Sequence, residues 1–393
     1  MNGLNLPTGY RYAGVVTKLR TEPDRRDLCV VVSDRSAASA GVFTQNRVCA
    51  APVQVCRQRI GRATTRGFVV CSGNANACTG DQGLLDANRM AELLALEVDC
   101  DPADILVAST GVIGRPLPMA VLEAGIPVAA RAARAGADAF ADAAHAILTT
   151  DTVAKTCSVV VGGGATVAGF AKGAAMIGPN MATMLGFLLT DAAVRPADLQ
   201  PILRDACNGT FNCISVEGHT STNDTVLLLA NGPGEPLHGD ALTAFADAVR
   251  AVCADLAMQI AKDAEGANHL VTIEVVGTRT DAEARTIAKA VAESALVKTA
   301  VFGADPNWGR VVSAAGYCGV AFEERELSLT MGDFNLYEAG QPLPFDAKAA
   351  SSYLRDNRDV TFRLTLTHGT GRCTFYTCDL TYKYVELNAD YTT

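Results

Sequence analysis

Short runs of consecutive apolar residues alternate along this chain with longer stretches in which apolar positions recur every three or four residues. The first pattern marks strands buried on both faces, the second marks helices with one buried face. In the first half, residues 68–71 and 105–109 read as buried strands, and residues 83–98 and 118–148 as helices. Glycine and proline at 125–127 predict one break in the second helix, and Gly136 predicts another. Beyond the midpoint, the run 184–189 and the segment 223–230 read as strands. Leu242, Phe245, Val249, Val252, Leu256 and Ile260 then step along one helix face, with a stop expected near 263–266 at Gly266. A strand at 271–276 follows, and Thr280 with Glu283 forms a capping-box pattern ahead of Ala284, Ile287 and Val291. Strands interleaved with helices predict a mixed α/β or α+β layering, with a domain boundary near residue 278.

Composition supports a large interior: apolar residues make up 49% of the 393 and charged residues 19%. That length suggests two domains. The net charge is −9 and no Lys/Arg-rich run occurs, so neither nucleic acid nor an anionic membrane is an expected partner, and small-molecule chemistry is. No apolar stretch approaches the ~18 residues of a membrane span. Residues 1–15 carry Asn2, Asn5, Thr8 and Arg11 and lack a secretory apolar core, so a cytoplasmic location is expected. Thirteen cysteines are an odd number scattered without a C-x-x-C pair, which predicts buried thiols and neither disulfides nor a zinc site. With five histidines, no metal centre is expected.

Three segments are richer in Gly, Thr and Asn than packing requires. In Ala108-Ser109-Thr110-Gly111-Val112-Ile113-Gly114 a strand runs into a glycine turn, leaving a hydroxyl and a backbone N–H of the kind an oxyanion needs. A plain strand-to-helix turn explains the same residues. The second segment, residues 169–185, follows Gly162-Gly163-Gly164 and contains Lys172-Gly173, which invites comparison with a phosphate loop. Gly173 stands where that loop needs Ser or Thr for magnesium, and no dinucleotide fingerprint is present. The other reading is a threonine nucleophile. An N-terminal threonine brings its own amine as base, which works only if the chain is cut between Ala182 and Thr183. The third segment is the tail, residues 384–393, read as strand-like and docked because it is aromatic and carries no Lys or Arg.

Seven segments in order resemble the ornithine acetyltransferase family, the bifunctional glutamate N-acetyltransferases of arginine biosynthesis. They are residues 72–80 (Ser-Gly-Asn-Ala-Asn-Ala-Cys-Thr-Gly), 109–114, 149–152 (Thr-Thr-Asp-Thr), 172–185, 220–225 (Thr-Ser-Thr-Asn-Asp-Thr), 305–310 (Asp-Pro-Asn-Trp-Gly-Arg) and 388–393 (Asn-Ala-Asp-Tyr-Thr-Thr). The resemblance spans essentially the whole chain.

It implies a layered αββα-type sandwich over residues 1–278 and a smaller C-terminal α+β domain over 279–393 whose tail returns to the active site. It implies self-cleavage at Ala182-Thr183 into an α chain of residues 1–182 and a β chain of 183–393, assembled as an α2β2 tetramer. Thr183 would be the nucleophile, and Thr110 and Gly111 the oxyanion hole. Thr149, Lys172, Thr183, Glu265, Asn388 and Thr393 would bind substrate. The implied reaction moves acetyl from N-acetyl-L-ornithine to L-glutamate through an acetyl-threonine, without a cofactor; acetyl-CoA as a second donor rests on the family alone. Several positions depart from the family's usual pattern: Ala264 stands where glycine is common before Glu265, Asn268-His269 where Thr-Lys is usual after it, Ala175 where glycine is usual after the lysine, and Glu217-Gly218-His219 where Asp-Gly-Asp is common. These changes are expected to touch the pocket and so bear on the amine pair. Two alternatives stay open: an aminopeptidase or amidase of the same fold, and an acetyltransferase paralogue with a different amino acid.

Overall fold

The computed structural model describes residues 3–20, 22, 24–178 and 184–390. Thr183, Ala182 and Thr393 therefore lie outside the described residues. The first sheet comprises β1 (Tyr10–Val15), β2 (Leu28–Phe43), β3 (Thr65–Asn74), β4 (Ile105–Val112), β5 (Lys155–Val160), β6 (Thr166–Lys172), β7 (Leu185–Thr190) and β8 (Thr225–Ala230). Its order is β4-β3-β2-β8-β7-β6-β5, with β1 paired to β2.

The long strand β2 governs this sheet. Its first part pairs with β1 and β3, and after an irregularity between Val32 and Ala37 its last part, Ala38 to Phe43, pairs with β8. The interruption coincides with the polar stretch Ser33-Asp34-Arg35-Ser36, where pairing to β3 lapses. The sheet thus has two arms, β1 to β4 on one side and β5 to β8 on the other. They face each other through aromatic rings: Phe68 of β3 stacks on Phe187 of β7 with centroids 4.5 Å apart, and Phe170 of β6 lies 6.5 Å from Phe68.

Helices cover the outer faces. α1 (Ala51–Arg59), α2 (Gly80–Val98) and α3 (Met119–Ala132) pack on the first arm. α4 (Ala137–Ala146) sets Phe140 edge-on against both Tyr12 and Phe170. α5 (Pro196–Asn208) and α6 (Gly239–Lys262) cover the second arm. The result is the expected helix-sheet-sheet-helix sandwich.

The second sheet runs β12-β11-β10-β13-β9-β14. It uses β9 (Leu270–Thr278), β10 (Ser328–Met331), β11 (Phe334–Glu338), β12 (Gln341–Pro342), β13 (Asp359–Thr365) and β14 (Gly371–Cys378). With it pack α7 (Asp281–Glu293), α8 (Ala295–Phe302), α9 (Trp308–Gly316) and α10 (Ala347–Asp356), while α11 (Tyr382–Asp390) turns back toward the first sheet. Thr280 caps α7 by accepting from the Glu283 N–H. Because β9 pairs with β13 and β14, the strand ending at residue 278 goes with the C-terminal residues and not with those before it.

Two readings of local structure need correction. α3 runs unbroken through Gly125 and Pro127, because Leu122, Ile126, Ala129 and Ala130 bury one continuous face that outweighs the lost N–H. The tail up to Asp390 is helical, not strand-like; it is docked, with the Thr381 hydroxyl donating to the Gly266 carbonyl at 2.6 Å. The cysteines are all unpaired, and Cys78 is exposed where a buried thiol was expected.

The facing rings make a direct test of the two-arm core. Phe187→Ala should lower the unfolding free energy by ~3–5 kcal/mol in urea titration; a loss below ~1 kcal/mol would mean that the arms do not depend on this contact.

Candidate active site

The site forms where the two arms meet at their strand ends. β4 carries Thr110 and Gly111 to the end of its pairing with β3, where Gly111 adopts φ +133 and lies so close to β3 that a Cβ would stand 2.3 Å from the Gly73 carbonyl carbon. Only glycine fits there. On the other arm, β6 is buried throughout and ends at Lys172, whose register partner is Leu185, the first residue of β7. The Lys172 ammonium crosses the seam and donates to Thr110 Oγ1 at 3.2 Å.

A fully buried ammonium needs compensating charge. Burial pushes the Lys172 pKa down, and the carboxylates of Asp151, Asp224 and Glu265 oppose that while Lys155 adds to it. Asp151 is the hub. Its Oδ1 accepts from Lys155 Nζ at 2.5 Å and from the Gly173 N–H at 2.6 Å, and its Oδ2 accepts from the Thr149 N–H at 3.0 Å. Burial works against its charge, but Lys155 and Lys172 win and hold the carboxyl down at about 2. Lys155 also pairs with Asp263 at the end of α6, which in turn accepts from Thr152. One ionic cluster thus ties the 149–152 loop, β5, β6 and α6 together beside the cavity.

The loop into β8 closes the seam from the other side. Asn223 Nδ2 donates to the Ala75 carbonyl at 2.6 Å and the Ser109 carbonyl at 2.8 Å, so an amide leading into the second arm ties β4 to the residue just after β3 in the first. Glu265 is placed by its own N–H donating to the Ala174 carbonyl at 2.9 Å, and its carboxylate accepts from Asn388 Nδ2 of α11 at 3.2 Å.

These elements enclose a cavity of about 130 Å³. Thr110, Gly111, Thr149, Lys172, Glu265 and Asn388 all line it. The structure therefore brings together six residues separated by up to 278 positions in sequence. Ser221, Thr222 and Asn223 line it as well, although no role had been read for them; their signal was a polar run directly ahead of an apolar strand. Of the departures from the family pattern, Ala175 lines the cavity. His269 does not, which corrects the expectation that it touches the pocket: its ring bonds to Asp379 Oδ2 at 2.9 Å and to the Leu354 carbonyl at 2.8 Å, and the first of these contacts raises its pKa. Among the described residues no cluster of His, Cys, Asp and Glu could hold a metal ion, and no helix is long and apolar enough to cross a membrane.

A small cavity lined by a buried ammonium and a carboxylate, on a layered sandwich, is the arrangement of an enzyme acting on small molecules. Comparison with known proteins then gives the family. The ArgJ family model matches residues 11–393, and the chain belongs to the ArgJ family. It is 46% identical over 399 residues to the arginine biosynthesis bifunctional protein ArgJ of Symbiobacterium thermophilum, covering 100% of this chain and 98% of that protein. Its identity to the protein of the same name from Rhodopirellula baltica is 43% over 396 residues, covering 99% of this chain and 96% of that one. Among solved structures, that of the arginine biosynthesis bifunctional protein argJ from Bacillus halodurans superposes with a TM-score of 0.51 at 40% identity, covering 52% of this chain and 98% of that chain.

The ionic hub should be visible in stability. Asp151→Asn leaves Lys155 and Lys172 short of a buried partner and is expected to cost ~3–5 kcal/mol by urea unfolding at neutral pH. Because the folded pKa of Asp151 lies below its usual value, its contribution is present above about pH 4 and disappears as pH falls through about 2. The wild-type advantage over the variant should shrink in that acid window; an equal gap at pH 7 and at pH 2 would remove Asp151 from this role.

Proposed function

We propose that this chain cuts itself between Ala182 and Thr183 and uses the freed threonine to carry acetyl from N-acetyl-L-ornithine to L-glutamate. In the cut, the Thr183 hydroxyl oxygen attacks the Ala182 carbonyl carbon, the amide C–N bond breaks, and the hydroxyl proton passes to the departing nitrogen. Water then hydrolyses the resulting ester, leaving a carboxyl on Ala182 and both a hydroxyl and an amine on Thr183. The α chain is then residues 1–182 and the β chain 183–393, assembled as α2β2.

In the transfer, the Thr183 oxygen attacks the acetyl carbonyl, and the threonine's own amine takes the hydroxyl proton and delivers it to the leaving ornithine amine. The Thr110 hydroxyl and the Gly111 backbone hold the oxyanion. Glutamate's amine attacks the acetyl ester next, forming N-acetylglutamate and restoring the hydroxyl. Lys172 pairs with the substrate's α-carboxylate, Glu265 with the ornithine side-chain ammonium, and Thr149, Asn388 and Thr393 close the pocket through hydrogen bonds. No step draws on a cofactor.

The observation that carries this reading is the gathering of Thr110, Gly111, Thr149, Lys172, Glu265 and Asn388 around one cavity, with Leu185, two residues after Thr183, paired to Lys172. A cation and an anion in one small space suit an amino acid. The names of the relatives point the same way. So does the Bacillus halodurans chain, almost all of which is matched by about half of this one, as a separate fragment would be.

Intact mass spectrometry of the purified protein tests the cut and, after brief exposure to N-acetylornithine, the acetyl-threonine. Thr183→Ala is expected to give one uncut, inactive chain; two normal fragments from that variant would show the nucleophile to be elsewhere. Lys172→Met should raise KM for N-acetylornithine by roughly a hundredfold, since a desolvated carboxylate loses its charge partner at a cost of ~3 kcal/mol. An unchanged KM would take Lys172 out of substrate binding.

A further inference from the structure

The loop of residues 214–224 contains much of the Thr-Ser-Thr-Asn-Asp-Thr motif, and the reaction above leaves most of it without a role. The structure shows what it touches. Upstream of the proposed cut, the last described residues are Ile177 and Gly178. The Ile177 N–H donates to Glu217 Oε1 at 2.6 Å, and its carbonyl accepts from the N–H groups of Val216, Glu217 and Gly218 at 2.7, 3.3 and 3.2 Å. Gly178 lies against the same turn so closely that a Cβ would stand 2.5 Å from the Gly218 carbonyl carbon. Downstream of the cut, the first described residue is Met184. Its N–H donates to Asp224 Oδ1 at 3.1 Å, and its carbonyl accepts from the Thr225 N–H at 3.2 Å.

We propose that Glu217 and Asp224 are positioning residues for the self-cleavage, each anchoring one end of the segment that contains the 182–183 bond to a single short loop. The inference rests on the reading that the chain cuts itself there.

The physical reason is the demand of an intramolecular attack. A hydroxyl reaches the carbonyl of the preceding residue only in a narrow range of backbone geometries, and misplacement by about 1 Å can cost on the order of a hundredfold in rate. Two backbone N–H groups held by side chains of one loop fix both the separation and the direction of the segment's ends. The anchors suit a buried position. Burial raises Glu217 to about 7 and raises Asp224 well above the usual carboxyl range, and each presents an oxygen to its backbone N–H. The second oxygen of each carboxyl is buried and meets no hydrogen-bond partner in the structure. Neither group is needed to carry a proton in the cut, since the hydroxyl proton goes to the departing nitrogen. Glutamate at 217 also gains sense as a departure from the family's aspartate: its longer side chain reaches the Ile177 N–H while its own N–H serves the Ile177 carbonyl.

The test follows chain splitting in full-length protein made by cell-free translation, pulse-labelled and sampled on denaturing gels. Glu217→Ala and Asp224→Ala should each slow splitting by about ten- to a hundredfold, while Glu217→Gln and Asp224→Asn, which keep the acceptor oxygen, should stay within a few-fold of wild type. Thermal melting monitors folding of every variant. Alanine variants that fold and split at the wild-type rate would overturn the proposal, and so would amide variants that melt like wild type but split as slowly as the alanine ones. If an alanine variant does not fold, its amide counterpart decides alone: splitting near the wild-type rate supports the anchor, and slow splitting in a folded protein refutes it. A wild-type chain that never splits would instead bring down the self-cleavage reading itself.

Discussion

Everything near the cavity depends on keeping a charged lysine inside the protein. Lys172 is buried at the end of a strand whose every residue is buried, a position where an isolated ammonium would shed its proton. Asp151 opposes this more than any other group, and it can do so because Lys155 and two backbone N–H groups hold it ionised and aimed. The cluster therefore sets the local charge before any substrate arrives. Such a cluster contributes little net stability compared with an apolar core, but it leaves a cationic pole facing a small space. That is what a site for a carboxylate requires.

The fold supplies the rest by bending one strand. Because β2 belongs to both arms, the ends of β4 and β6 come to one seam although they lie on different arms. The aromatic stack of Phe68, Phe170 and Phe187 sets the distance between the arms, and Asn223 links them at the cavity's edge. A shift of either arm would move Thr110 relative to Lys172. Packing deep in the sandwich thus controls geometry at its rim.

How much of this could be read from the chain differs from element to element. Apolar runs gave β3, β4, β8 and β9, and helical spacing gave α6 and α7 nearly to their observed ends. β2 escaped notice because its middle, Ser33-Asp34-Arg35-Ser36, looks like a loop, and that polar interruption is the bend on which the sheet depends. The tail reads as a strand since Tyr384 and Val385 favour strand locally, whereas docking on Gly266 and Glu265 selects helix. At the site, Thr110 and Gly111 stand out at a strand end, whereas Lys172 is conspicuous only in a Lys-Gly pair that invites comparison with a phosphate loop. Glu265 and Asn388 carry no local signal; one follows a helix, the other sits in the tail, and only the resemblance placed them. The ionic hub was invisible for a related reason. Asp151, Lys155 and Asp263 are ordinary charged residues until the fold buries them side by side.

The positions at which this chain departs from the family's usual pattern bear on what it discriminates. Asn268 and His269 are absorbed at the junction between the sheets, where both N–H groups and the imidazole converge on Asp379. They act on Glu265 only through the backbone three or four residues away. Ala175 is different, because it lines the cavity and adds a methyl group where the family usually has none. In a space of about 130 Å³ one methyl is a substantial intrusion, worth ~1 kcal/mol or more against a substrate that needs the room. On the proposed reading, selectivity among amino acids follows from the cavity wall, Ala175 included, more than from the altered junction beneath Glu265. On the same proposed reading, the charges of Lys172 and Glu265 select a zwitterion and the wall limits its length.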